Sequence, residues 1–173
     1  MATGLVVIDV QQGLFPPSRP AYRGAEVVAR IATLLARARA RRVPIFHVQH
    51  DGGPGHILAR GSAGWAVHEA VRPIVGEPVV EKLHCSAFQD TDFGKRLVRA
   101  GIDKIVVAGL QTEYCVDTTC RAASALGFRV TLAADAHTTF DTSVLSAAQI
   151  IAHHNNTLGG SFVELVAADA IEF

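Results

Sequence analysis

The chain has 173 residues, 49% of them hydrophobic, which suits a single domain (1–173) with a full core and leaves little for a second. Lys+Arg and Asp+Glu balance at 16 each, so no whole-chain field favours nucleic acid or an anionic membrane as a partner. Its 3 cysteines match neither a disulfide framework nor zinc spacing, and neither a basic leader nor a membrane-length apolar run is present, so a reduced, cytoplasmic setting is expected.

In chain order, a short apolar run predicts a strand at 5–9. Val27, Val28, Ile31, Leu34, Leu35 and Ala38 then mark one helical stripe, whose basic end at Arg37, Arg39, Arg41 and Arg42 suits the negative pole of a helix dipole. A second strand at 44–49 leads into segment 50–62, with glycines at 52, 53, 55 and 61, which reads as an active-site lid. A third strand at 78–82 precedes a helix that begins near Thr91, carries Phe93, Leu97 and Ala100, and stops at Gly101. The fourth strand, 104–109, runs into Cys115, from which Val116, Cys120, Ala123 and Leu126 continue at helical spacing to Gly127. A fifth strand at 129–133, a helix from near Asp141 through Val144, Ala148 and Ile151 to the polar His153-His154-Asn155-Asn156, and a sixth strand at 162–166 complete the series. Strands alternating with helices indicate an α/β fold built on a parallel sheet.

In such sheets ligands bind outside the carboxyl ends of the strands. Asp9 ends the first strand, Lys82 ends the third, and Cys115 follows the fourth after a short turn. Each has a structural alternative: a turn cap, an exposed strand end, a small buried hydrophobe. Together, a thiol, a carboxylate and an ammonium on one rim supply the nucleophile, proton shuttle and cation of cysteine acyl transfer. A thiol at the start of a helix is also expected to have its pKa lowered by the nearby N–H groups. Around the rim, Phe15, Trp65, Phe88 and Tyr114 are candidate apolar lining, and Gln11, His50 and Asp51 candidate polar contacts for a small-molecule substrate. His137-Thr138-Thr139 either edges the site or makes a turn, and Cys120 is expected to be packed. A dinucleotide site is excluded, because Asp9-Val-Gln-Gln-Gly-Leu-Phe lacks the glycine spacing. A redox thiol protein would want a resolving cysteine within reach, and the chain has no Cys-x-x-Cys.

Several ordered segments carry a family resemblance: Val7-Ile8-Asp9-Val10-Gln11, then Glu81-Lys82 with Ser86-Ala87-Phe88, then Gly109 to Val116, and finally Asp135-Ala136. The set resembles the isochorismatase-like cysteine hydrolases, which include nicotinamidases and other amidases, over nearly the whole chain. The resemblance implies a three-layer α/β/α sandwich around a six-stranded parallel sheet, with strand order 3-2-1-4-5-6, and an Asp9, Lys82 and Cys115 triad. It also implies a non-proline cis peptide at Leu110-Gln111 that places the Gln111 N–H beside that of Cys115 as an oxyanion hole. Isochorismatases proper cleave a vinyl ether and lack the nucleophilic cysteine, so Cys115 favours cleavage of an amide or lactam-type C–N bond. No cofactor is expected, although Asp51, His56 and His68 offer ligands for a divalent metal of the kind a metal-assisted nicotinamidase uses. Relatives commonly assemble as homo-oligomers, and a dimer or tetramer is the corresponding expectation.

Overall fold

A computed structural model describes residues 2–173. Six strands form one all-parallel sheet: β1 (Ala2–Ile8), β2 (Ile45–His50), β3 (Val79–Lys82), β4 (Ile102–Leu110), β5 (Arg129–Thr138) and β6 (Glu164–Val166). Their order is β3-β2-β1-β4-β5-β6, the expected one. Between them run α1 (Gly24–Ala40), α2 (Phe93–Arg99), α3 (Asp117–Ala125) and α4 (Ala147–Gly159).

The central strand β1 shows why both faces must be covered. Leu5 and Val7 point into one hydrophobic cluster while Val6 and Ile8 point into another, the period-2 alternation of a strand buried on both sides. On the first face the stripe Val27, Val28, Ile31, Leu34, Leu35 and Ala38 of α1 packs against the sheet, joined by Ala168 and Ile171 near the C-terminus. Phe93 and Leu97 of α2, Cys120 and Ala123 of α3 and Leu158 of α4 cover the second. Three layers result, with the reactive rim at the carboxyl ends of the central strands.

Several expectations about element bounds are corrected. The last helix begins at Ala147, because Ser146 and Gln149 form a capping box there, and it continues through His153 and Asn156 to Gly159. Its inward residues are Ala147, Ile150 and Leu158, whereas Val144 precedes the helix and is exposed. Ala100 and Leu126 are likewise exposed at helix ends. β5 runs five residues beyond the expected end at 133, to Thr138. Its pairing with β4 jumps from Val107 opposite Leu132 to Gly109 opposite His137, so two steps on one strand face five on the other. An alternation count does not register extra residues of this kind.

Segment 50–62, expected as a lid, is a tied-down loop. Asp51 Oδ1 accepts from the N–H groups of Gly53 and Arg60, Gly52 N–H donates to the Leu58 carbonyl, and Leu58 is buried. Arg60 pairs with both Asp51 and Glu81. Among the described residues no helix is long and apolar enough to cross a membrane.

Candidate active site

β1 ends at Asp9, whose φ of 50° lies in the left-handed region that Asp tolerates better than most residues. This kink leaves the carboxyl group almost fully buried. β3 is two strands away at the sheet edge, so Lys82 must cross the end of β2 to reach Asp9. It does so past His50, its register partner on β2. The Lys82 side chain is fully buried, and its ammonium donates to Asp9 Oδ2 at 2.7 Å and to Cys115 Sγ at 3.1 Å. His50 Nδ1 lies 3.5 Å from the same nitrogen. Lys has three N–H donors and no acceptor, and these three neighbours use all of them.

Cys115 sits in a single π turn, Thr112–Val116, between β4 and α3. Both the Tyr114 and the Val116 N–H donate to the Gln111 carbonyl at 3.2 Å. The Leu110-Gln111 peptide is cis. The thiol is only partly exposed, and its pKa is raised, which corrects the expectation of a lowered one. Burial contributes most and the Asp9 charge next, while Lys82 opposes both. Desolvation of a thiolate here, with the Asp9 charge, outweighs what the Lys82 ammonium returns. For Lys82, burial alone favours the neutral amine, but the charges of Asp9 and Cys115 and their hydrogen bonds reverse this and raise its pKa. These directions favour an ammonium at Lys82 and a protonated thiol at Cys115, and Asp9 Oδ1 is buried without a hydrogen-bond partner among the described residues. His50 is held neutral, its pKa lowered by burial and then by the Lys82 charge.

The remaining expected site residues divide. His50, Trp65 and Tyr114 stay near the rim: Tyr114, beside Cys115 in sequence, is more than half exposed. The Trp65 carbonyl accepts from Gln11 and Gln49, and its indole Nε1 is buried with no partner among the described residues. Gln11 is fully buried and does not face a substrate. Its amide clasps β2, donating to the His50 and Trp65 carbonyls and accepting from His50 N–H, each at 2.9 Å, which leaves no polar atom free. Phe88 is partly buried and packs against the second core, its ring 4.9 Å from Phe93 and 6.0 Å from Phe128. Phe15 sets its ring edge-on to His68 at 5.1 Å and helps line a cavity of about 350 Å³ to which Asp9, Lys82 and Cys115 contribute nothing.

Asp51, His56 and His68 do not make a metal centre. Asp51 Oδ1 is occupied by backbone N–H groups, His56 Nδ1 accepts from Leu58 N–H, and His68 Nδ1 accepts from Ala70 N–H. Among the described residues, no three of His, Cys, Asp and Glu are grouped as a metal ion requires.

Residues that sequence reasoning left in the background meet the Cys115 turn from β5 and α4. His137 Nδ1 lies 2.9 Å from Thr112 Oγ1, and its Nε2 lies 2.8 Å from Asn155 Oδ1. Thr139 donates to Glu113 Oε1 at 2.8 Å. The pairing of Thr112 with a residue 25 positions away has no periodic signature in the sequence.

The isochorismatase-domain family model matches residues 3–155, a span that includes every member of this cluster. The chain belongs to the isochorismatase family. It is 40% identical over 137 residues to streptothricin hydrolase of Streptomyces noursei, covering 79% of this chain and 50% of that protein. It is 35% identical to the isochorismatase family protein YddQ of Bacillus subtilis, covering 79% and 77% respectively. A crystal structure of a hydrolase of the isochorismatase family from Chromobacterium violaceum superposes with a TM-score of 0.91 at 33% identity, covering 97% of this chain and 90% of that one. The chain thus spans about half the length of the streptothricin hydrolases it matches.

Proposed function

We propose that the protein is a cysteine-nucleophile hydrolase that cleaves an amide or lactam-type C–N bond in a small molecule through an acyl-enzyme. The observation that carries this reading is the single ammonium, on Lys82, bridging the Asp9 carboxylate and the Cys115 sulfur in a buried cluster. The likeness to proteins named streptothricin hydrolase supports hydrolysis as the reaction class.

In the resting state the thiol keeps its proton, so ionisation is coupled to attack. Asp9 takes the Cys115 proton as the sulfur adds to the substrate carbonyl carbon, and Lys82 remains protonated, stabilising whichever of the two carries the negative charge. The resulting oxyanion is stabilised by the N–H groups of Gln111 and Cys115. Collapse breaks the C–N bond as Asp9 passes its proton to the departing nitrogen, leaving a thioester. A water molecule then gives a proton to Asp9 and adds to the thioester. Expulsion of the sulfur with return of that proton restores the thiol and frees the carboxylic acid. One carboxylate acts as base, acid and base again, and the buried ion pair keeps it beside the sulfur throughout.

The test is intact-mass analysis and ammonia release after mixing the protein with a panel of small amides, nicotinamide included. Cys115→Ala is expected to remain folded and to lose turnover by roughly 10⁴-fold or more. A Cys115→Ala variant as active as the parent would end the proposal.

A further inference from the structure

The turn that carries Cys115 is held from outside the triad by a chain of buried side-chain hydrogen bonds. Asn155 of α4 donates from Nδ2 to the Ala134 carbonyl at 3.0 Å, which fixes which end of its amide faces His137. Its Oδ1 therefore accepts from His137 Nε2–H at 2.8 Å. With the proton assigned to Nε2, the other ring nitrogen is an acceptor, and Thr112 Oγ1–H donates to it at 2.9 Å. Thr112 opens the π turn and is fully buried, and His137 is 2% exposed, so neither finds a substitute partner in water. His137 reaches this place because the extra residues of β5 carry it opposite Gly109, one residue before the end of β4.

We infer that His137 is a positioning residue for the nucleophile: the series Ala134, Asn155, His137 and Thr112 sets the turn that presents Cys115 to Asp9 and Lys82. A second contact acts on the same turn, since Thr139, two residues on, donates to Glu113 Oε1 at 2.8 Å. The strand end thus grips the turn at two successive residues, Thr112 and Glu113. The α3 side of the turn has its own anchor, Val116, buried in the second core. Fixed at both ends, the sulfur stays 3.1 Å from the Lys82 ammonium. The inference rests on the reading of Cys115 as nucleophile, but its consequence for the thiol is measurable without a substrate.

The experiment is the pH dependence of Cys115 alkylation by iodoacetamide, followed by peptide mass so that the exposed Cys85 is scored separately. The groups facing the thiol are Asp9 from β1 and Lys82 from β3, with His50 from β2 against the Lys82 ammonium. Thr112→Val removes the hydroxyl at nearly constant volume. It is expected to move the alkylation midpoint by about half a pH unit or more toward that of an ordinary exposed thiol, with Thr112→Ser returning it to the parent value. His137→Asn, whose carboxamide oxygen stands near the Nδ1 position, is expected to stay closer to the parent than His137→Gln. A Thr112→Val profile that superposes on the parent overturns the inference. So does an equal shift in Thr112→Ser, which would assign the effect to methyl packing. Because alkylation needs no turnover, an active Cys115→Ala enzyme would sink the proposed chemistry separately from this result. With a substrate in hand, Thr112→Val should lower kcat by roughly 10–100-fold while leaving KM little changed.

Discussion

Lys82 is a fully buried ammonium whose hydrogen bonds go to a carboxylate, a thiol and an imidazole. Removing one member of a buried ion pair leaves the other charge unpaired, at a cost of about 3–5 kcal/mol. Lys82→Met is accordingly expected to abolish turnover and to lower unfolding free energy by about that much in urea titrations. Adding Asp9→Asn should recover part of the stability and none of the activity, whereas equal loss in single and double variants would count against the pairing. The three reactive side chains were legible in the sequence because each closes or follows an apolar run, and strand ends are where α/β folds expose chemistry. Gln11 and Phe88, candidate substrate contacts by sequence, instead bond the His50 backbone and pack on the Phe93 ring, respectively. Whether a side chain beyond a strand end faces the rim or folds back depends on partners such as the His50 backbone for Gln11 and the Phe128 ring for Phe88, which lie far away in sequence.

At the scale of the element, β4 shows how little slack the site tolerates. Gly109 has φ of 133°, and a Cβ built there would stand 2.0 Å from the Ile8 carbonyl oxygen, inside the neighbouring strand. Gly109→Ala is expected to cost well over the ~1 kcal/mol of an ordinary Gly→Ala change, and to reduce Cys115 reactivity as well, since both Ile8 and Gly109 lie just before site residues. A variant as stable as the parent in thermal unfolding would show that β1 and β4 can move apart. Helix α1 followed directly from its stripe, and its seven buried residues include all six that the spacing selected. α4 did not, because Val144, Ala148 and Ile151 also sit at helical spacing, and only the Ser146 and Gln149 capping box selects the observed start. The π turn and the extra residues of β5 break the periods of 3.6 and 2 that sequence reading depends on.

Over the whole molecule, the sheet is stabilised on both faces, and buried titratable groups couple that stability to pH. Burial lowers the His137 pKa from its usual 6.5 to about 4, so the fold favours the neutral ring. Between those values the unfolded chain binds the proton and the folded one does not, so stability is complete above 6.5 and falls as pH drops toward 4. Glu77 is opposed by its own burial, but Arg39, the Ile74 N–H and His47 together hold its carboxyl at about 2 against a usual 4.5. Its contribution is present above 4.5 and is lost as pH falls toward 2. Each group is worth roughly 3 kcal/mol by this linkage. Urea unfolding should show two successive losses on acidification, with the upper one flattened in His137→Asn and the lower one in Glu77→Gln. A single transition unaffected by either substitution would contradict the assignment. By itself the sequence determined the α/β class, the succession of six strands and the position of Asp9, Lys82 and Cys115 at or just beyond strand ends, because burial on both sheet faces leaves local, periodic marks. Only the tertiary structure decided that Lys82 crosses β2 to join Asp9 to Cys115, that burial raises the thiol pKa, and that His137 meets Thr112 of the turn. These depend on desolvation and on contacts between segments tens of residues apart, which no local pattern records.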